Sequence, residues 1–125
     1  MSFSRHLVAA FLIDGAAVEI AVRALVRDDL TTRFSNDAAG VRGFVEWLDK
    51  ERLLDGETRL HVCLATTGAP DAMFESPFVE FAYDSADNAF VWPPDQLARA
   101  AGPSVPTARA MLDHCVEQHH ATAIA

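Results

Sequence analysis

Residues 59–68, Arg-Leu-His-Val-Cys-Leu-Ala-Thr-Thr-Gly, constrain this chain more than any other stretch. An apolar, strand-like run stops there at a Thr-Thr-Gly turn, and a proline and a helix-like segment follow. Open α/β sheets place their sites where a strand ends in such a turn before a helix. At this strand end stands Ala65, which offers no acid, base or nucleophile.

A second run, Leu7 to Ile13, is apolar on both faces and ends at Asp14-Gly15, as a buried central strand does before a turn. Val18 to Leu25 places Val18, Ile20, Val22 and Ala24 on one face, which suits a second strand. After a turn at Asp28-Asp29, Leu30 to Phe34 reads as a third, and the three make an antiparallel meander. Asn36 or Asp37 can cap a helix in which Val41, Phe44, Val45 and Leu48 form one apolar stripe. That helix is expected to stop near Gly56. The helical spacing over Ala69–Tyr83 is interrupted by Pro77, and an interior proline costs about 3 kcal/mol, so a break or restart is expected at Ser76-Pro77. Asp84 to Asp87 reads as a turn, Asn88 to Trp92 as a strand and Asp95 to Ala101 as a short helix. The last helix is expected over Val105–His120, capped by Ser104, with Pro106 in its first turn. Its apolar face is Ala108, Met111, Leu112, Cys115 and Val116, and residues 121–125 are expected to fray.

The order β-β-β-α-β-α-β-α is that of the ribonuclease H-like fold. The expectation is one α/β domain over residues 1–125. Its five-stranded mixed sheet would run in the order 3-2-1-4-5, with helices on its faces. Right-handed crossovers place strands four and five beside strand one, which would turn Asp14 and Ala65 toward one cleft.

A chain of 125 residues suits one domain. No apolar run approaches ~18 residues, so no membrane span is expected. The start Met-Ser-Phe-Ser-Arg-His does not read as a secretory signal, which points to the cytoplasm. Cys63 and Cys115 read as buried free thiols of a reducing compartment. The net charge is −8 and the arginines are scattered among acids. Affinity for nucleic acid comes from neutralising phosphates, so an unaided DNA binder is disfavoured. A protein partner or self-association is expected instead.

Other chemistry-bearing side chains are few. Cys115 and His119 are four apart near His114 and His120, but two ligands do not make a zinc site. His61 and Cys63 share one strand face, where packing explains both. Asp71 and Glu75 read as solvated acids near a helix start, favoured by its dipole. Phe74, Phe78, Phe81, Phe90 and Trp92 are expected mostly in the core. The chain has no phosphate-binding Gly-rich loop, Cys-x-x-Cys or serine nucleophile elbow.

Several pieces, in order, resemble a known family. Phe11-Leu-Ile-Asp14 resembles a first strand and its aspartate. Phe34-Ser-Asn-Asp37 with Gly40 and Trp47-Leu48 resembles an aromatic-x-Asn-x-x-x-Gly…Trp-Leu pattern. Val62-Cys-Leu-Ala-Thr-Thr-Gly68 resembles a Glu-Ala-Thr-Gly strand end, and Ala89-Phe-Val-Trp-Pro-Pro94 a strand ending Asn-Pro. Ser104 to Leu112 resembles a segment carrying two further aspartates. Together, over about residues 7–117, the chain resembles the N-terminal RuvC-like domain of the bacterial DEDD insertion-sequence transposases, the family that includes the Piv DNA invertase.

That resemblance implies four carboxylates holding two Mg²⁺ ions, which clamp the attacking and leaving oxygens in phosphodiester chemistry. Only Asp14 stands on such a position. The glutamate position reads Ala65 or Thr66, and the two aspartate positions read Ser104 and Thr107. Hard Mg²⁺ needs charged oxygen ligands, which one carboxylate and two hydroxyls supply poorly. The expectation is a catalytically inactive relative serving as a binding or oligomerisation module, with no cofactor. The alternatives are a Mg²⁺-dependent nuclease using Asp14 with Asp71 or Glu75, and an unrelated small protein-binding α/β domain.

Overall fold

A computed structural model describes residues 5–24, 28–53 and 58–124, without the side chains of Arg5, Pro70 and residues 118–124. Its sheet contains β1 (Arg5–Asp14), β2 (Ala17–Ala24), β3 (Leu30–Ser35), β4 (Thr58–Thr66) and β5 (Asn88–Val91), in the order β3-β2-β1-β4-β5. β1 pairs antiparallel with β2 and parallel with β4; β2–β3 is antiparallel and β4–β5 parallel. A meander continued by two parallel crossover strands is the ribonuclease H-like topology, and the chain has that fold.

The helices are α1 (Ala38–Lys50), α2 (Pro70–Met73), α3 (Pro77–Ser85), α4 (Pro94–Ala101) and α5 (Ala108–Ile124). Alternation in the central strands divides the core in two. Leu7, Ala9, Phe11 and Ile13 of β1 join Val18, Ile20, Val22, Leu60, Val62 and Leu64 beneath α1 and α3. There the Phe11 ring lies edge-on to Phe44 and Phe78, with centroids 5.2 and 5.7 Å away. Aromatic pairs favour this arrangement because ring edges and faces carry opposite partial charge. On the other face Val8, Ala10, Leu12, Ala21, Cys63, Ala65 and Trp92 pack with Leu97 of α4 and Ala108, Met111, Leu112 and Cys115 of α5.

Local structure departs from the sequence reading in several places. Asp37, not Asn36, caps α1: its carboxylate accepts from Gly40 N–H at 2.7 Å. Val45 is exposed, so the buried stripe of α1 narrows to Gly40, Phe44 and Leu48. The proline break falls where expected, with Ser76 capping α3 and Pro77 at its first position. Asp84 and Ser85 belong to the last turn of α3, not to a free turn. Phe74 is exposed, because it lies past the end of the one-turn α2. α5 begins at Ala108, three residues later than expected. Its cap is Thr107, whose hydroxyl accepts from Ala110 N–H at 3.1 Å, while Ser104 is exposed in the preceding loop. The backbone of α5 continues through Ile124, past the expected end at His120, and Ala125 lies outside the described residues. Leu25 and the stop at Gly56 lie outside the described residues, as do the side chains of His119 and His120.

Candidate functional site

The candidate site is the C-terminal end of β1 and β4. Gly15, at φ +59°, permits the two-residue turn that joins Asp14 to Ala17. This places Asp14, exposed, at the rim of the sheet. Beside it, β4 leaves the sheet through three bonds to its neighbour. Thr67 N–H and the Thr66 hydroxyl both donate to the Ile13 carbonyl, at 3.1 and 3.0 Å, and the Thr67 hydroxyl donates to Asp14 Oδ1 at 2.7 Å. Gly68 N–H donates in turn to Thr66 Oγ1 at 3.1 Å.

Asn36 closes the other side of the turn. Its amide nitrogen donates to the Gly15 carbonyl at 3.0 Å and its backbone N–H to the Ala16 carbonyl at 2.8 Å. Its side-chain oxygen accepts from the buried Ser76 hydroxyl at 2.5 Å. Asn36 thus ties the β1–β2 turn to the start of α3. The sequence marks Asn36 as a possible helix cap and as part of a motif but not for this role, because its partners lie in two segments far from it in the chain, Gly15-Ala16 and Ser76.

The carboxylate positions implied by resemblance do not meet around Asp14. Ala65 pairs with Leu12 and is 1% exposed, buried in the core under α5. It therefore does not open on the cleft as expected, and the neighbour of Asp14 is Thr67. Thr66 is used up by the Ile13 carbonyl. Thr107 is occupied by the cap of α5, and Ser104 points no acid anywhere. Asp71 and Glu75 are solvent-exposed.

One carboxylate that sequence reasoning missed lies close by. Glu19 pairs with Leu12, so it shares the face of Asp14 as a diagonal neighbour, roughly 7–8 Å away between Cα atoms. Its Oε2 accepts from Ala108 N–H at 3.3 Å, capping the α5 N-terminus from another strand. The alternation of β2 placed Glu19 opposite Val18 and Ile20, but nothing local said which helix would cover that face. Among the described residues, no group of three or more His, Cys, Asp or Glu could hold a metal ion. The donor set at this end is one exposed aspartate, a glutamate engaged with a helix terminus, and hydroxyls. It does not fit a two-Mg²⁺ centre.

Cys63 and Cys115 are both buried and outside any disulfide, and burial pushes the Cys115 thiol well up. His61 is buried too, yet it is not mere packing: it bonds His6 and Asn88. Among the described residues, no helix is long and apolar enough to cross a membrane.

No protein-family model matches the sequence, and no curated protein matches it. Among solved structures, the chain is similar to the Ppx/GppA family member of Aquifex aeolicus, at 12% identity over 78% of this chain and 38% of that one, with a TM-score of 0.38. It is also similar to the Aquifex aeolicus PPX-GPPA enzyme, at 14% identity over 78% and 39%, with a TM-score of 0.41. The chain spans about two fifths of the length of these structures. Likeness at this level says nothing of activity, and the fold assignment rests on strand order and direction.

Proposed function

We propose that this chain is a ribonuclease H-like domain of transposase ancestry that has lost strand-cutting chemistry and acts as a binding or self-association module. One observation carries the reading: the site end of β1 and β4 presents Asp14 to a threonine hydroxyl, while Ala65 is buried where the resembling family carries glutamate. Two-metal phosphodiester chemistry needs carboxylates on both sides of the reacting phosphate. A net charge of −8 further weighs against DNA held by this chain alone.

The test is thermal unfolding of the wild type and Asp14→Ala, each with and without millimolar Mg²⁺ or Mn²⁺. A ligand bound only to the native state at ~100 times its dissociation constant stabilises by about 2.7 kcal/mol. The expected result is no metal-dependent shift in either protein. A shift in the wild type that is lost in Asp14→Ala would sink the reading and favour a nuclease built on Asp14 and Glu19.

A further inference from the structure

The opposite end of the sheet carries a second polar cluster. His61 of β4 pairs with Val8 of β1 and with Asn88 of β5, on the face covered by α5. Its Nε2 lies 2.8 Å from Nδ1 of His6, and its Nδ1 lies 3.0 Å from the Asn88 amide nitrogen. His61 is 3% exposed, whereas His6 is half-buried. Three adjacent strands are therefore joined through one buried imidazole.

The rings are 5.0 Å apart between centroids and 19° from coplanar. A ring nitrogen lies about 1.1 Å from its centroid, so the 2.8 Å contact is an in-line N–H···N bond. An ion held in line between two nitrogens would need about 4 Å, twice a Zn–N bond of ~2.0–2.1 Å. The gap holds a proton and excludes a metal. With the Asn88 nitrogen donating to Nδ1, His61 carries its proton on Nε2 and donates to His6 Nδ1. A further proton on either accepting nitrogen sets a donor against a donor and breaks one of the two bonds.

We propose that His6, His61 and Asn88 form a proton-operated latch across this end of the sheet, closed at neutral pH and opened by mild acid, which frees the start of β1 and the β5 edge. Burial first, and then His6, hold the His61 imidazole below its usual range. Arg59 acts in the same direction and Asp87 opposes it. Among the described residues, the next titratable groups along this face are the thiols of Cys63 and, from α5, Cys115, together with Arg23 of β2, which pairs with Val8 and is held by Asp29 and by Asp113 of α5. α5 also bears His119 and His120, so the test includes one of them.

The experiment is an imidazole nitrogen titration of the isotope-labelled full chain by NMR, with amide exchange at pH 7.5 and pH 5. The expected result is a through-bond nitrogen–nitrogen coupling between His6 and His61 at pH 7.5 that disappears in acid. His61 is expected to titrate below the ordinary ~6.5. After correction for intrinsic rates, β5 amides are expected to exchange about ten-fold faster or more at pH 5. His61→Gln should lose that acid dependence and His119→Ala should keep it. If His61 titrates at or above ~6.5, as it would were Asn88 to turn its amide oxygen to Nδ1 and hold the imidazolium, the latch is refuted. Absence of the coupling at pH 7.5, or transfer of the acid dependence to His119, refutes it equally. Should His61→Gln not fold, the wild-type titration decides alone.

Discussion

Ala65 lies under α5 beside Leu12, and this decides what could be rebuilt there. Restoring an acid with Ala65→Glu would bury a carboxylate among Cys63, Trp92 and Met111. An unpaired buried charge is among the few substitutions that cost several kcal/mol. The expected loss is at least about 3 kcal/mol in urea unfolding, with no gain of Mg²⁺-dependent stability. A variant that stays as stable as the wild type and gains a metal-dependent shift would show that the site end is more open than described. Asp14 was legible as a strand-end acid. Its bond to Thr67, and the approach of Glu19, were not, because both depend on which strands and helices become neighbours.

At the scale of elements, α1 shows how a short motif is enforced by its surroundings. A Cβ on Gly40 would lie 1.7 Å from the Ser35 carbonyl oxygen, a backbone atom that has no rotamer to change. Gly40→Ala is therefore expected to destabilise by about 3 kcal/mol or more, although alanine is the better helix former. Chemical denaturation measures this directly; a neutral or stabilising result would mean the helix start can slide. The glycine was visible in the sequence, and the reason for it was not, since Ser35 ends a different element. The proline break before α3 was legible from local sterics alone. The start of α5 was misplaced because residue type favours Ser104 over Thr107 as a cap, serine being the better N-cap residue. The covering strand β2, through Glu19, favours the later one.

For the molecule as a whole, Arg23 joins Glu19 in tying the meander to α5. Its guanidinium makes a two-pronged bond to Asp29, at 2.9 and 2.8 Å, and reaches Asp113 at 2.6 Å. The bond from Arg23 holds the Asp29 carboxyl below its usual value of 3.8. A carboxyl whose folded pKa is depressed contributes stability that is fully present above its unfolded value and is lost as pH falls through the folded one. Stability should therefore fall below about pH 4, and Asp29→Asn should flatten that decline. Equilibrium unfolding between pH 5 and pH 2.5 checks it; an unchanged acid limb in Asp29→Asn would assign the decline to other carboxylates.

Element order, strand order and the two apolar faces were all legible in the sequence. They follow from hydrophobic periodicity, turn chemistry and the handedness of crossovers, which are local or nearly local. Asp14 was legible for the same reason, as the polar stop of an apolar run. What surrounds Asp14 was settled only by tertiary structure: Thr67 beside it, Asn36 and Ser76 bracing its turn, Glu19 turned to a helix end, and Ala65 sealed beneath α5. The His6–His61–Asn88 bridge belongs to the same class. Each joins residues tens of positions apart, and which side chains meet depends on register between strands, where a shift of one residue exchanges the two faces of the sheet.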